Sequence, residues 1–591
     1  MRHLILILIA ASAATAADYT LPSARLTDWT PGVTVGVPGG IDQYRPGGAN
    51  QRTTLIDVTQ SPYNADNTGA TNAASAVQSA INAATSGQVV YLPAGTYRFD
   101  SGVGVGHKDN ITIRGAGMTQ TLINFYGGSG AAIKAGGDEI DYQWNFPNAA
   151  FSGNKGDTVL PCADTSQIVI GAITHLQILN STSATTPVIS VSGFPAVRRQ
   201  KTRITAKTGS TVTIFPGLAF DCPSGLSPKI MQASVQAEFI GIESLAVNNI
   251  NSSSPNPAVD LSVCYASWFY EVKAINVENY NLGIGDSVQC EVRRCIGMSR
   301  RQAGSNGAAL LTAAIGSCLF EDNIFGQNFP TIEFNHGSTG NVFAYNFVFD
   351  SVVFGSAAAA IDTNHSPHNS YNLFEGNIAP NVQCDGYFGG ASEDTVFRNW
   401  LHGRCDTTNS ASPGLTVNFN RFTRNYSVVG NILGSNNLTS FIYPEGAAQW
   451  GMPNMGNFAW EGEAQPSVGD WWADFGTSPG TGGFQELDLD VFPTTIFKAN
   501  YSTETDSIIS GESIGSDTLP NSLFRSSKPA YFGNLAWPPI NSLSPFNAEL
   551  TNANFARIPA GYRYVNGTDP PPDGGGSSIQ TLNVQNLRIG Q

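Results

Sequence analysis

Acidic and amide side chains recur at matching positions in four short segments of this sequence. The segments begin at Ile332, Ile361, Cys384 and Val417, and each alternates apolar with polar residues. Because a β-strand points successive side chains to opposite faces, the apolar members are predicted to face inward. The residues that follow them are then predicted to form a single outward file. That file comprises Glu333, Asp362, Asp385 and Asn418.

Polar and basic residues are predicted to flank this acidic file. Amides or a tyrosine come two positions further along each segment, and a histidine or arginine follows where three of the four strands would end. The catalytic candidates are therefore Glu333, Asp362, Asp385, His336, His365 and Arg421. The substrate-binding candidates are Asn335, Asn364, Tyr387, Arg398 and Asn418.

The spacing of the three acids limits the chemistry that they can perform. On stacked strands they would lie about 5 Å apart, or about 10 Å between the first and the third. Like charges that close raise at least one pKa unless a cation or hydrogen bonds intervene. In a glycoside hydrolase, the raised carboxyl donates a proton to the leaving oxygen, and another carboxylate acts as base or nucleophile.

A second use of the same file is β-elimination on a uronate polymer. Calcium held by Glu333, Asp362 and Asp385 would bind the uronate carboxylate, and a basic side chain would remove the proton at C5. The candidate bases are Arg421, Arg398, Arg404 and Lys273. Hydrolysis is favoured slightly, because carboxylates outnumber nearby basic groups, and for hydrolysis no metal site or cofactor is expected. A solvated acidic face, with or without a structural calcium, is the structural alternative.

A repeated motif predicts the scaffold that positions this file. The segments FEDN, FAYN, FEGN, VFRN and VVGN recur at steps of roughly 22 to 32 residues, the range of solenoid repeats. Their last residues are Asn323, Asn346, Asn377, Asn399 and Asn431. Stacking would hydrogen-bond these amides from coil to coil. It would also place Phe320, Phe343, Phe374, Val396 and Val428 in one apolar column.

Residues 66–117 form a unit of their own near the N-terminus. A turn-rich loop precedes a helical face that includes Val77 and Ile81, and short strands separated by glycine turns follow. This order is typical of the cap that protects the open end of a solenoid. The run DNTGATNAASAVQSAINAATSGQVVYLPAGTYRF, followed by NITIRGAG, closely resembles the N-terminal cap of the pectate-lyase-like superfamily.

The resemblance implies an all-β fold, a right-handed parallel β-helix, in an exported bacterial protein that acts on carbohydrate. The superfamily includes lyases, hydrolases, epimerase-like proteins and phage tailspikes, so the resemblance does not choose the reaction. The paired Asp-Asp and Gly-His-Gly pattern of polygalacturonase-like hydrolases is absent from the sequence, which leaves a pectin substrate without support. A surface protein that binds glycan without turnover is the third alternative.

The remaining segments divide the chain into six parts. Residues 1–17 are predicted to be a signal peptide, and 18–137 a leader and β-helix cap. Residues 138–230 are predicted to form a β-rich insertion, and 231–440 the β-helix core. An irregular C-terminal cap would occupy 441–568. Residues 569–591 would be a linker and tail.

Composition restricts the location and partners of the protein. A signal peptide cleaved near Ala16-Ala17, with no apolar run of about 18 residues after it, predicts a secreted or periplasmic monomer without a membrane span. The net charge of −15 argues against nucleic acid and repels anionic glycans, so a polysaccharide, most simply a neutral one, is the expected partner. Eight cysteines in an exported chain suggest disulfides, with Cys162–Cys222 and Cys384–Cys405 as the favoured pairs.

Overall fold

The computed structural model describes most of the chain between residues 19 and 572. The described ranges are 19–128, 130–137, 149–179, 196–233, 235–250, 256–300, 307–351, 359–366, 368–385, 390–404, 415–420, 423–436, 448–452, 490–510 and 518–572. The predicted signal peptide, Cys405, Tyr387, Arg421 and most of the predicted tail lie outside them.

The described residues form a right-handed parallel β-helix, which confirms the predicted fold class. Each complete coil contributes one strand to a ten-stranded sheet and two strands, or one long bent strand, to a 23-stranded sheet. The strands of the ten-stranded sheet are Val103–Gly106, Ile133–Gly136, Val259–Ser262, Leu282–Gly285, Leu310–Ala313, Ile332–Asn335, Ile361–Asp362, Val382–Cys384, Val417–Asn420 and Ala448–Met452.

The 23-stranded sheet forms the other two sides of the coil. Its strands before the bend, and its two long bent strands, are Thr54–Asp57, Gln88–Leu92, Thr112–Gly115, Gly241–Asn249, Trp268–Val277, Glu291–Arg293, Leu319–Glu321, Val342–Ala344, Leu373–Glu375, Thr395–Phe397, Ser427–Val429 and Ile496–Lys498. Its strands after the bend are Thr68–Asn72, Gly95–Phe99, Thr121–Phe125, Ile296–Arg300, Ile324–Gly326, Phe347–Phe349, Ile378–Ala379, Trp400–Leu401, Ile432–Leu433, Asn500–Ser502 and the antiparallel Ser507–Ile509. A two-stranded sheet pairs Ala237–Glu238 with Cys264–Tyr265.

One left-handed residue makes each bend between the two sides of the large sheet. Arg294, Asp322, Tyr345 and Arg398 hold φ values of 60°, 61°, 56° and 52° there, and Gly376 occupies the same position in another coil. Successive coils therefore turn at the same point, and the residue after each bend is carried into a common column.

The predicted asparagine ladder occupies that column. The Nδ2 of Asn323 donates to the Oδ1 of Asn346 at 2.9 Å, and Asn346 donates to Asn377 at 3.2 Å. Each acceptor Oδ1 also takes the backbone N–H of the preceding asparagine, as Asn377 does from Asn346 at 2.9 Å. The ladder continues through Asn399 and Asn431, and it extends beyond the predicted range to Asn500.

The apolar column beside the ladder is also confirmed. Phe320 pairs with Phe343, which pairs with Phe374, and Val396 and Val428 continue the same register. These side chains are buried in the main core of the coil. Burial of the same position in every coil stabilises the register over the whole solenoid.

A second, shorter ladder lies one residue before the strands Val342–Ala344, Leu373–Glu375 and Thr395–Phe397 of the large sheet. The sequence pattern did not predict it. Asn341 donates from Nδ2 to Asn372 at 2.8 Å, and Asn372 donates to the Oδ1 of Asp394 at 3.0 Å. The other Asp394 oxygen accepts from Tyr426 Oη at 3.0 Å. Burial raises the pKa of Asp394 to about 8, although these donors oppose the shift.

The insertion is a separate six-stranded antiparallel sheet with its own core. Its strands are Ala149–Ala150, Val159–Pro161, Ile173–Leu179, Ala196–Lys207, Thr211–Phe215 and Lys229–Gln232. The long strand Ala196–Lys207 docks on the coil through ion pairs. Lys201 lies 2.8 Å from Asp286, with both side chains buried, and Arg198 lies 2.7 Å from Glu393.

The predicted Cys162–Cys222 disulfide is wrong, because both cysteines are free thiols. Cys162 forms an isolated backbone β-bridge with Phe151 on one side of segment 151–153. Cys222 forms another with Gly153 on the opposite side of that segment. Two strand spacings separate the cysteines, about 10 Å, which exceeds the Cα separation of about 7 Å that a disulfide tolerates. Cys384 is free as well, so a Cys384–Cys405 bond is not formed.

Helices and terminal segments close the coil. The helix Ala74–Ala83 covers the N-terminal end with Val77 and Ile81 facing the core, and the other α-helices in the described part of the chain are Val491–Thr494, Asn552–Phe555 and Pro559–Asn566. Short 3₁₀ turns lie at Ser23–Arg25, Ile41–Tyr44, Ser224–Leu226 and Ala530–Phe532. Among the described residues, no helix has the length and apolarity needed to cross a membrane.

The predicted boundaries near the C-terminus need correction. Strands at Ile496–Lys498 and Asn500–Ser502 pair with the preceding coil, so the β-helix continues past residue 440. The start of the predicted linker is anchored, because Asp569 lies 2.8 Å from Arg294 on the coil. Both regions were predicted to be irregular from their composition. The contacts that order them are made with residues far away in the sequence, which composition does not reveal.

Replacing Asn377 by alanine should break the ladder at its centre. Four hydrogen bonds are lost: the two that Asn377 Oδ1 accepts from the backbone N–H and the Nδ2 of Asn346, and the two that Asn377 Nδ2 donates to the Phe343 carbonyl and the Asn399 Oδ1. A buried group left unsatisfied costs about 1–3 kcal/mol, so the free energy of unfolding should fall by at least about 3 kcal/mol in denaturant titrations. The exposed Asn534→Ala control should change it by less than about 0.5 kcal/mol. Equal effects would contradict a stabilising ladder.

Replacing Asp394 by asparagine should change how stability depends on pH. A raised pKa in the folded state means that this group's contribution is complete below pH about 4 and is lost as pH rises through about 8. The free energy of unfolding of Asp394→Asn should therefore be closest to that of the wild type in acid, and it should be about 1–3 kcal/mol higher than the wild-type value at pH 9. Denaturant titrations at pH 5, 7 and 9 measure this. Parallel pH curves for the two proteins would count against an ionising Asp394.

Candidate functional site

Acidic and amide side chains line the outer face of the ten-stranded sheet. Parallel pairing places Glu333 beside Asp362, Asp362 beside Gln383, and Gln383 beside Asn418. The predicted positions of Glu333, Asp362 and Asn418 in one file therefore agree with the register. The third member of the file is an amide, Gln383, instead of the predicted Asp385.

Asp385 lies two residues further along its strand than the sequence alignment placed it. Val382, not Cys384, pairs with Ile361, and Cys384 pairs with Phe419. Since side chains alternate with a period of two, a slip of two residues leaves Asp385 on the same face. The acid moves to the neighbouring file, in which Asn420 donates from Nδ2 to the Asp385 carbonyl.

Three titratable groups converge where the two files meet. The Nδ1 of His365 lies 2.6 Å from the Oδ2 of Asp385. Ligand-type atoms of Asp362, His365 and Asp385 all lie within 4.8 Å of one another. The backbone N–H of Asn364 donates to Asp362 Oδ1 at 3.1 Å. All three groups belong to the site predicted from the sequence.

The two carboxyls and the histidine have strongly perturbed acidities. Burial raises the pKa of Asp362 well above its ordinary value, and the charge of Asp385 and a hydrogen bond with it raise that pKa further. Burial alone would lower the pKa of His365, but Asp385, Glu333 and Asp362 raise it to about 10. Asp385 therefore favours the protonated form of both neighbours, the carboxyl of Asp362 and the imidazole of His365.

Glu333 and Asn335 form a pair on the adjacent strand. Asn335 donates from Nδ2 to Glu333 Oε1. Both residues are buried, at 6% and 4% exposure. The Oδ1 of Asn335 has no hydrogen-bond partner among the described residues. Burial and the charge of Glu333 raise the pKa of Tyr280, a nearby residue that the strand pattern could not identify because it precedes its own strand.

A buried asparagine fixes the turn that carries His365. Asn369 donates from Nδ2 to the carbonyls of Phe334 at 2.9 Å and Thr363 at 2.8 Å. Its backbone N–H donates to Asn364 Oδ1 at 3.2 Å. Two adjacent strands of the site are thereby tied together at the point where His365 leaves the sheet. Asn369 was not identified from the sequence because it lies in a turn of irregular length.

His336 begins the turn after its strand with φ of 58°, as its predicted turn position requires. The docked strand of the insertion covers the residues that follow. Arg199 packs over Gly337, and its carbonyl accepts from Thr339 Oγ1 at 2.9 Å. The insertion therefore borders the site sheet along its turns.

Two predicted basic candidates lie elsewhere on the coil. Arg398 is at a bend of the 23-stranded sheet, where its guanidinium donates to the carbonyls of Leu519, Pro520 and Ile540. Arg398 therefore anchors the C-terminal segment and is not a substrate-binding residue of this face. Lys273 belongs to the 23-stranded sheet as well. Arg398 is the third residue of the repeat segment VFRN. The repeat motif does not reveal that this third position is the bend of the coil.

The remaining candidates are distributed as follows. Asn364 is the second residue after the strand Ile361–Asp362, and the Nδ2 of Asn418 donates to Gln383 Oε1 at 3.3 Å. His368, which was not among the candidates, is buried and hydrogen-bonds Ser392. Tyr387 and Arg421 lie outside the described residues.

Comparisons with known proteins agree with the β-helix. A family profile described as "Rhamnogalacturonase A/epimerase, pectate lyase-like" matches residues 57–284, which end before the carboxylate cluster. No curated protein sequence matches the chain.

Solved β-helix structures resemble the chain at low sequence identity. The Pseudomonas phage phi297 tailspike gp61 is 11% identical over 65% of this chain and 76% of its own, with a TM-score of 0.44. The A-module of the Azotobacter vinelandii mannuronan C-5 epimerase AlgE6 is 14% identical over 68% and 91%, with a TM-score of 0.36. A DFA-IIIase from Arthrobacter chlorophenolicus A6 is 12% identical over 64% and 89%, with a TM-score of 0.34.

Removing the charge of Asp385 should lower the pKa of His365 towards its ordinary value. Asp385 is the principal group that raises the pKa of His365 to about 10. In Asp385→Asn this pKa should fall towards the ordinary value of about 6.5, as measured by NMR titration of labelled histidine. The remote Asp57→Asn variant should leave the His365 titration unchanged. An unchanged titration in Asp385→Asn would contradict the ion pair.

Proposed function

Since this chain is a pectate-lyase-like parallel β-helix protein, we propose that it cleaves a polysaccharide on the outer face of its ten-stranded sheet. The reaction is hydrolysis of a glycosidic bond by paired carboxyl groups. The observation that carries the proposal is the direct pairing of buried Asp362 with Glu333 on the adjacent strand, beside Asp385, and the raised pKa of Asp362 supports it. General acid catalysis needs a carboxyl that keeps its proton near neutral pH.

Asp362 is the proposed general acid. The backbone N–H of Asn364 donates to one carboxyl oxygen of Asp362. Asp385 is close enough to share the proton of Asp362 through a hydrogen bond. The His365 imidazolium neutralises Asp385, so the two acids tolerate each other in one site. Asp362 then donates its proton to the glycosidic oxygen as the bond to the anomeric carbon breaks.

Glu333 is the proposed nucleophile. It pairs directly with Asp362 across adjacent strands, whose spacing of about 5 Å matches the carboxyl separation of about 5–5.5 Å in retaining glycosidases. Asn335 holds Glu333 through one oxygen and leaves the other for attack. Glu333 forms a bond to the anomeric carbon while the protonated leaving chain departs.

Water completes the proposed reaction. Asp362, now ionised, removes a proton from a water molecule, which attacks the anomeric carbon and releases Glu333 as carboxylate. Asp362 has then regained its proton, and one water has been consumed per bond cleaved. The product keeps the configuration of the substrate at the anomeric carbon.

Calcium-dependent elimination is a weaker proposal for the same cluster. The groups that converge are Asp362, His365 and Asp385, whereas the sequence suggested Glu333 in place of the histidine. Calcium prefers oxygen ligands, and the His365 nitrogen is already hydrogen-bonded to Asp385. The residues therefore do not fit a calcium site, and no step of the proposed reaction uses one.

Replacing Asp362 by asparagine tests the proposal. Loss of the general acid should lower turnover about 10²–10⁴-fold without unfolding the protein, as measured by reducing ends released from a polysaccharide panel. The isosteric Asp57→Asn variant, on the other sheet, is the matched control and should keep wild-type turnover.

Three results would count against hydrolysis at this site. Full activity of Asp362→Asn would exclude the assigned acid. Absorbance from unsaturated uronates that disappears with chelator would establish a lyase. Glycan binding by the wild type without any cleavage would establish a binding protein.

A further inference from the structure

We infer that the substrate is a neutral, hydroxyl-rich polysaccharide and not a uronate polymer. This inference rests on the proposed function for the location of the substrate. It is carried by unsatisfied hydrogen-bond acceptors on the site face and by the distribution of cations around it.

Two amide oxygens of the face lack donors. The Oδ1 of Asn335 is buried without a hydrogen-bond partner among the described residues, and the same is true of the Oδ1 of Asn418. The Nδ2 atoms of these residues are engaged with Glu333 and Gln383, which fixes the orientation of each amide. A buried acceptor without a donor is unfavourable, so a ligand that donates hydrogen bonds would be stabilised there.

The groups around these amides are acceptors too. Glu333, Asp385 and the carbonyl oxygens of the two amides face the same surface of the sheet. Sugar hydroxyls can donate to all of them. A uronate carboxylate is ionised at neutral pH and can only accept hydrogen bonds, so it would repel this row.

In the described part of this face, the cations that could offset this repulsion are engaged elsewhere; Arg421, which follows the strand Val417–Asn420, lies outside the described residues. Within the ten strands of the site sheet, Lys134 is the sole lysine or arginine. It lies four strands from Glu333, about 19 Å away, and 4.0 Å from Asp260. His365 is paired with Asp385.

The insertion does not supply free cations either, although its docking strand is basic. Lys201 pairs with Asp286, Arg198 with Glu393, and Arg203 with Glu238. Arg199 is buried over Gly337 at 2% exposure. The basic residues of this strand are used to attach the insertion to the coil, so they give the site no anion-binding character.

A pair of polymers with one backbone tests the inference. Polygalacturonate and its carboxyl-reduced, neutral galactan differ only in charge, and neutral glucans, mannans, xylans and fructans are added beside alginate and hyaluronate. Binding is measured with Asp362→Asn by affinity electrophoresis, and cleavage is measured with the wild type at low and high salt. We expect binding and cleavage of neutral polymers only, with a KM that does not change with ionic strength.

A variant of the acceptor row gives a second measurement. Asn418→Ala should raise KM for the neutral substrate about tenfold with little change in kcat, since one hydroxyl loses its acceptor. The exposed Asn534→Ala control should leave KM unchanged. An unchanged KM in Asn418→Ala would remove Asn418 from the row and overturn this part of the inference.

The outcomes separate this inference from the proposed function. Cleavage of a uronate polymer in preference to its neutral counterpart would overturn the inference and leave catalysis at Asp362 intact. Binding of neutral polymers without cleavage would support the inference and overturn the proposed hydrolysis. Absence of binding to every neutral polymer would overturn the inference.

Discussion

Parallel register between successive coils is the constraint on which the rest of this structure depends. Buried amides hydrogen-bond from Asn323 to Asn500, and each also accepts a backbone N–H, so one coil cannot slide along the next. Any two residues at the same position of neighbouring coils are therefore held about 5 Å apart. Side-chain chemistry on the outer faces is arranged by that spacing.

Burial raises the pKa of a carboxyl at two places on the coil. At Asp362 the charge of Asp385, which is paired with His365, raises the pKa further. Asp394 ends an asparagine ladder, and burial raises its pKa while Asn372 and Tyr426 donate to it. A raised carboxyl pKa therefore follows from burial between stacked coils, and general acid catalysis needs a carboxyl of this kind.

The parts of the fold that could be predicted are those in which one residue type repeats. The ladder repeats asparagine at each coil and the column repeats phenylalanine or valine, so both were found and placed correctly. Asp385 was misplaced by two residues because the alternation of a strand has a period of two and cannot detect such a slip. The error left the acid on the correct face.

Other features depended on contacts between distant segments and could not be deduced. Arg398 follows a strand motif, yet its role is set by carbonyls more than 120 residues away. Cys162 and Cys222 share one core but lie on opposite edges of a segment, and the sequence does not contain that geometry. Spacing within a coil was therefore informative, whereas contacts made by the insertion and the C-terminal segment were not.

The order of residues along the acidic file limits the charge repulsion between neighbouring side chains. Two acids, Glu333 and Asp362, are followed by two amides, Gln383 and Asn418. A third acid at position 383 would stand directly beside Asp362 without a cation. Asp385 supplies the additional carboxylate from the neighbouring file, where the turn brings His365 against it. The site thus gains a third acid only at the point where the fold provides a positive charge to neutralise it.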